Sequence, residues 1–170
     1  MHFHVRPLTA LLFATLAHSA AQAAEAQVAV AANFAEPIKA IAAVLEKSTG
    51  HTLKITLGST GKLYAQIRNG APFDMLLAAD AKTPEALEKA GLTLPGSRFT
   101  YATGKLVLWS AKAGRVDDQG AVLKAAGLGK VAFAAPKVAP YGTAAVEAMD
   151  KLGLSASLAP KLVQGESIGQ

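Results

Sequence analysis

The chain has 170 residues, no cysteine and a formal net charge of +5. Without cysteine it cannot have a disulfide scaffold, a thiolate metal site or a cysteine nucleophile. Its basic residues are scattered and do not alternate with aromatic residues, so the composition argues against nucleic acid as a partner.

The N-terminus has the pattern of a secretory signal peptide. A weakly basic start precedes a short apolar run from Leu8 to Ala17, and Ala21-Gln22-Ala23 has the small residues of a cleavage site. The apolar run is shorter than the about 20 residues that a membrane-spanning helix needs. We therefore predict a signal peptide over residues 1–23, a mature chain that begins near Ala24, and a periplasmic location.

Strand and helix patterns alternate over the first half of the mature chain. The predicted elements are, in chain order, strand Gln27–Ala31, helix Ala35–Ser48, strand Leu53–Leu57, helix Thr60–Arg68, a fully buried strand Asp74–Ala78, and helix Thr83–Ala90. Thr83 is the predicted N-cap of the last helix, and Gly50 and Gly91 are predicted helix stops. This alternation indicates βαβ units and a parallel sheet.

The pattern changes near Thr100–Lys105, where we place a domain boundary. The elements predicted beyond it are strands at Thr100–Thr103, Leu106–Ser110 and Val131–Ala134, helices at Ala121–Ala126 and Gly142–Leu152, and a segment of either type at Leu158–Val163. Four residues are expected in the core, namely Trp109, Val146, Met149 and Leu152. The predicted domains are lobe 1 at residues 24–102 and a partial lobe 2 at residues 103–170, and we expect a C-terminally truncated chain.

Two junctions between a strand and a helix carry small polar residues. Asn33 follows the first predicted strand and Ser59 follows the second. The first N–H groups of a helix have no acceptor within it, and the macrodipole makes that end partly positive. Two such ends that face one cleft would form an anion site, although each residue alone also fits an ordinary N-cap.

The other polar candidates fit structural roles. His51 would be the only histidine of the mature chain and lies in a polar turn, so a histidine-based metal site is excluded. Asp74 and Asp80 are too isolated to form a general acid–base pair, and Asp80 is expected to cap or to accept a hydrogen bond. Tyr64 and Tyr101 are expected to be structural. Because the sequence shows no nucleophile–base pair or cofactor fingerprint, we predict a protein that is not an enzyme and has no cofactor.

Four segments of the chain together resemble the periplasmic molybdate-binding proteins of ABC importers. The segments are Val28–Phe34, Gly58–Leu63, Gly70–Asp80 and Val138–Ala145, and the third, which begins Gly-Ala-Pro-Phe-Asp, is the most distinctive. The resemblance implies the α/β fold of a type II periplasmic binding protein. Such a fold has two α/β lobes joined by a hinge, and the second lobe would be incomplete here.

The resemblance also implies a ligand and the residues that bind it. By position, Asn33 and Ser59 match small polar ligand residues, whereas Tyr141 and Ile168 match backbone N–H donors of the second lobe. Molybdenum would be bound only as its oxyanion, with no direct metal ligands. The implied function is capture of molybdate or tungstate between the lobes by a monomer, and delivery of the ion to an ABC permease in the inner membrane.

Three alternatives remain open at this point. The chain could be a receptor for another anion, such as sulfate, phosphate or a small organic anion. An enzyme on the same bilobal fold is less favoured. A truncated chain could also fold only in its first lobe and bind no anion tightly, because capture between two lobes needs donors from both.

Overall fold

The computed structural model describes residues 23–170, which form two small parallel sheets with helices packed beside them. The predicted signal peptide lies almost entirely outside the described residues. Within residues 23–170, no helix is both long enough and apolar enough to cross a membrane.

The first sheet has three parallel strands in the order β2-β1-β3. Its strands are β1 Glu25–Ala31, β2 Thr52–Gly58 and β3 Met75–Leu77, and its helices are α1 Ala35–Thr49, α2 Thr60–Arg68 and α3 Lys82–Lys89. A 3₁₀ turn at Ala32–Phe34 leads from β1 into α1. The six elements predicted for this half are therefore confirmed, and α2 has the predicted bounds.

The core of this half lies between β1 and α1. Val28, Val30 and Ile38 are buried, and each such aliphatic side chain contributes roughly 1.5–3 kcal/mol relative to an exposed one. The prediction that β3 is fully buried was wrong, because the Met75 side chain is 56% exposed. Within residues 23–170, β3 pairs only with β1 and is therefore an edge strand.

The helix ends were predicted with partial success. Gly50 and Gly91 have φ of +75° and +68°, values that favour glycine, and they end α1 and α3 as predicted. Thr83 is not the N-cap of α3, however, because the helix begins at Lys82. The Thr83 N–H instead donates to Asp80 Oδ1 at 2.8 Å, so the upstream carboxylate caps the first turn, as expected for Asp80.

The second sheet pairs only two strands, which are also parallel. Its elements are β4 Val131–Ala134, α4 Pro140–Lys151, α5 Ser155–Leu158 and β5 Leu162–Gly165. The ambiguous segment at Leu158–Val163 contains the end of α5, a 3₁₀ turn and the start of β5. Gly142 packs against the Ala134 carbonyl, where no Cβ could fit. The lobe boundaries at residues 24–102 and 103–170 stay predictions.

The segment between the two sheets differs most from the prediction. Thr100–Thr103 and Leu106–Ser110 form no strand, and Ala121–Ala126 contains only a 3₁₀ turn at Ala121–Lys124. Trp109, expected in the core, is 77% exposed. A strand needs a neighbour for its backbone hydrogen bonds, and neither sheet within residues 23–170 extends to Leu106–Ser110.

The predicted core face of α4 is only partly covered. Val146 and Met149 are half-buried, but Leu152 is 60% exposed, so its assignment to the core was wrong. Leu152 is the C-cap residue that follows the last residue of α4.

Candidate functional site

A small cleft lies between the first sheet and the start of α4. It encloses about 210 Å³, part of it open to solvent, and twelve residues line it, none with a charged side chain. The four predicted site residues, Asn33, Ser59, Tyr141 and Ile168, all lie among them. Only about 10 Å³ of the cleft can hold the centre of a water molecule, so the cleft fits a small ion better than an organic cofactor.

Strand register brings the two polar junctions together. β1 and β2 are parallel, and Ala31 at the end of β1 lies opposite Gly58 at the end of β2. The residues that follow, Asn33 and Ser59, therefore leave the sheet at the same edge. Ligands of open α/β sheets bind at this carboxyl edge of the strands.

Asn33 is not the N-cap of α1. It lies in the 3₁₀ turn before that helix, and the N-cap position is Phe34, whose side chain makes no capping bond. The Asn33 side chain is half-buried and lines the cleft. The ordinary N-cap interpretation therefore does not explain why an amide side chain stands here.

Ser59 does stand at the N-cap of α2, but its side chain does not cap the helix. The residue is 4% exposed, and its Oγ has no hydrogen-bond partner within residues 23–170. A buried polar group without a partner costs about 1–3 kcal/mol. A hydroxyl that lines a cleft and makes no bond to the protein is therefore available to a ligand.

The opposite wall comes from the second sheet and its helix. Pro140 is the first residue of α4 and Tyr141 the second, so the Tyr141 N–H precedes the helical residues that find an acceptor within the helix. Ile168 lies in the turn after β5, next to Ser167, which also lines the cleft. The positive end of the α4 dipole thus faces the cleft and favours an anion there.

Thr60 is a cleft residue that the sequence did not single out. It is 1% exposed, and its Oγ1 accepts a hydrogen bond of 3.0 Å from the N–H of Ala79, another lining residue. This bond ties the start of α2 to the loop after β3. In the sequence, the one indication of this role of Thr60 was that it is a hydroxyl residue next to Ser59.

Two contacts link the first turn of α2 to the second sheet. The Gly61 N–H donates to the Val138 carbonyl at 2.8 Å, and Lys62 forms an ion pair with Glu166. They join α2 to the loop that precedes α4 and to the turn that follows β5. The cleft is therefore bridged by direct contacts close to its walls.

Tyr101 supports the cleft from behind. Its hydroxyl donates to the Ala78 carbonyl at 2.9 Å, and its ring packs edge-on against Phe34 with centroids 5.0 Å apart. Burial, and secondarily the nearby Tyr141, raises the pKa of the Tyr101 hydroxyl above its usual value. These contacts agree with the structural role expected for Tyr101.

The remaining candidates bond to the backbone or to a nearby side chain, and they do not line the cleft. His51 Nδ1 accepts from the Ala24 N–H at 3.0 Å, and Asp74 Oδ2 accepts from the Gln27 N–H at 2.7 Å. Tyr64 Oη accepts a hydrogen bond of 3.2 Å from Arg68. In the described part of the chain, no three His, Asp or Glu residues are grouped to hold a metal ion.

Two molybdate-binding proteins resemble this chain over most of its length. The chain is 58% identical to the molybdate-binding protein ModA of Azotobacter vinelandii over 170 residues, which cover all of this chain and 68% of that protein. It is 55% identical to ModA of Rhodobacter capsulatus over 150 residues, which cover 88% of this chain and 59% of that protein. The chain thus spans roughly two thirds of the length of these relatives.

A solved structure and a family description match as well. The periplasmic molybdate-binding protein of Azotobacter vinelandii has a TM-score of 0.83 and 47% identity, over 85% of this chain and 64% of that chain. Residues 26–170 match the family described as bacterial extracellular solute-binding protein, which is a family of binding proteins and not of enzymes. The chain therefore belongs to this family, among the relatives of the molybdate-binding proteins, and has the type II periplasmic-binding-protein fold over the part that it spans.

Proposed function

We propose that this protein captures molybdate or tungstate in the cleft between its two sheets and delivers the ion to an ABC permease in the inner membrane. One observation carries the proposal. The buried Ser59 hydroxyl makes no bond to the rest of residues 23–170, although it lines a neutral cleft with a helix start on the opposite wall. The relatives that are named molybdate-binding proteins support this choice of anion.

We propose that four hydrogen-bond donors, two from each wall of the cleft, bind the ion. Asn33 and Ser59 offer side-chain donors at the edge of the first sheet, and Tyr141 and Ile168 offer backbone N–H groups from the second. Molybdate is a dianion whose four oxygens each need donors once water is removed. Neutral donors in fixed positions suit such an ion, because they recognise its size and shape without attracting every anion.

Selectivity follows from the same argument. Sulfate is smaller than molybdate, so it would leave some donors too far away, and each unpaired buried donor costs about 1–3 kcal/mol. Tungstate is nearly the same size as molybdate and should bind as well. We expect the protein to use no cofactor, because the oxyanion is the transported ligand.

The cellular setting is part of the proposal. The Azotobacter relative of known structure is named a periplasmic protein, and the predicted signal at residues 1–23 would direct this chain to the same compartment. There it would act as a monomer that presents its ion to the permease. Because the chain spans about two thirds of its relatives, binding by these 170 residues is itself proposed.

Calorimetry with a panel of anions tests the proposal. We expect heat of binding with molybdate and tungstate, and none with sulfate or phosphate at the same concentration. Ser59→Ala should weaken molybdate binding by about tenfold or more, since a hydrogen bond to a charged group contributes about 1.5–3 kcal/mol. Ser48→Ala, an exposed serine on α1, is the matched control.

Two results would contradict the proposal. Absence of heat with both molybdate and tungstate would exclude the function, and equally tight binding of sulfate or phosphate would favour a receptor for another anion. Thermal unfolding in the presence of each anion gives an independent measure, because a ligand that binds only the folded state raises the melting temperature.

A further inference from the structure

The two contacts between α2 and the second sheet involve residues that do not line the cleft. Gly61 donates its N–H to the Val138 carbonyl at 2.8 Å, and Lys62 pairs with the Glu166 carboxylate. Val138 lies three residues before Tyr141, and Glu166 lies two residues before Ile168. Each contact therefore fixes the backbone close to one of the donors proposed for the second wall.

Gly61 leaves no space for a side chain. A Cβ at this position would lie 2.9 Å from the Val138 oxygen and 3.0 Å from the Val138 Cα. Glycine is less favourable than alanine inside a helix, so helix propensity gives no reason for it in α2. The close approach of the Val138 backbone does, because only a residue without Cβ allows this hydrogen bond.

The ion pair has a different consequence. Lys62 and Glu166 are about half exposed, so their pairing adds little to the stability of the fold. An unpaired lysine at the edge of the cleft would attract any anion in the same way. Pairing with Glu166 neutralises this charge, which leaves recognition to the neutral donors within the cleft.

We propose that these contacts form a latch, defined as the Gly61–Val138 hydrogen bond together with the Lys62–Glu166 ion pair. The latch sets the distance between Ser59 on one wall and the Tyr141 and Ile168 donors on the other. Gly61, Lys62 and Glu166 are thus positioning residues that touch no ligand. The inference rests on the proposed function only in those experiments that measure anion affinity.

Gly61→Ala tests the hydrogen bond of the latch. We expect about tenfold weaker molybdate binding, seen mainly as faster dissociation, since the two walls can no longer approach fully. The melting temperature without ligand should fall by a few degrees at most, since the higher helix propensity of alanine partly offsets the lost hydrogen bond and the close contact. Gly129→Ala is the matched control, since nothing lies within 4 Å of a Cβ at that site. Affinity equal to that of the unchanged protein would overturn the role of Gly61.

Charge reversal tests the ion pair. We expect Lys62→Glu to weaken molybdate binding by about two- to fivefold, the range of an exposed pair, since it breaks the pair and adds negative charge beside the cleft. Glu166→Lys also breaks the pair but should weaken binding less, because its two unpaired lysines attract the anion. The affinity of the double variant for molybdate should return to within about twofold of that of the unchanged protein. The reason is that the ion pair forms again with its two charges exchanged. A double variant no better than the worse single variant would show that the pair has no positioning role.

A measurement without ligand separates this inference from the proposed function. Hydrogen exchange of the Gly61 amide should be slow in the ligand-free protein and faster in Lys62→Glu. Fast exchange in the unchanged protein would refute the latch, whatever anion binds. Slow exchange combined with no molybdate binding would refute the proposed function and leave the latch supported.

Discussion

The two sheets of the protein differ in how well their strands are covered. β1 has a paired strand on each side and α1 against it, and Val28, Ala29 and Val30 are fully buried. In the described part of the chain, β4 and β5 pair only with each other, and the apolar segment around Val107 and Trp109 is largely exposed. A two-stranded sheet is marginal alone, so the second half depends more on its contacts with the rest of the chain.

This difference separates the two walls of the cleft. Asn33 and Ser59 follow strands of the well-packed sheet, so their positions are fixed by the core. Tyr141 and Ile168 are held by a smaller sheet and by the contacts that reach it from α2. We therefore expect substitutions in the core of the first sheet to change folding, and those at the contacts between α2 and the second sheet to change mainly binding.

The largest expected effect comes from placing a charged residue in the core of the first sheet. Val30→Asp places a carboxylate in a site without solvent, and we expect loss of cooperative unfolding, a cost of about 4 kcal/mol or more. Val107→Asp, at an exposed position of the segment between the sheets, should change the free energy of unfolding by about 0.5 kcal/mol or less. Urea denaturation followed by circular dichroism measures both. Similar losses in the two variants would contradict the contrast between the buried core of the first sheet and the exposed segment between the sheets.

A smaller change in stability is expected from removing either of two neighbouring hydroxyls, those of Ser59 and Thr60. Ser59→Ala removes a buried hydroxyl that has no partner, so the ligand-free protein should become more stable by up to about 1 kcal/mol. Thr60→Val removes the acceptor of the Ala79 N–H, so it should be less stable by about 1 kcal/mol. Thermal unfolding without anion measures both changes. Destabilisation by Ser59→Ala would mean that its hydroxyl supports the fold rather than a ligand.

The smallest expected effect is a pH dependence at Tyr101. Its pKa is raised by burial, so above the usual value of 10.0 the unfolded chain loses the phenol proton before the folded chain does. The contribution of this group to stability is therefore complete below pH 10 and is lost as the pH rises through the folded-state pKa. Tyr101→Phe should show a shallower loss of stability above pH 10 in urea titrations. Identical slopes would assign the alkaline loss to other groups.

The first half was predictable because its signals are local. Apolar periodicity and helix stops located β1, α1, β2 and α2, and parallel pairing then placed Asn33 and Ser59 at one edge. The capping of α3 was assigned to the wrong residue, because Thr83 and Asp80 both suit a helix start and only the three-dimensional arrangement selects the carboxylate.

The second half was less predictable because its outcome depends on distant partners. An apolar run such as Leu106–Ser110 indicates that a strand would be buried if a neighbour were present, and within residues 23–170 no strand pairs with it. Likewise, nothing near Gly61 in the sequence indicates Val138, which is 77 residues away. The Thr60–Ala79 bond has the same non-local character.

The pairing of Ala31 with Gly58 has a consequence for evolution and engineering. A slip of one residue between β1 and β2 would displace Asn33 relative to Ser59 by about 3.3 Å, which exceeds any difference in radius among tetrahedral oxyanions. In the proposed site, backbone pairing would therefore set the spacing of these two donors, and a substitution of either side chain would leave the register unchanged. Insertions in the turn after α1 should leave selectivity unchanged, whereas a single residue inserted into β1 should abolish it.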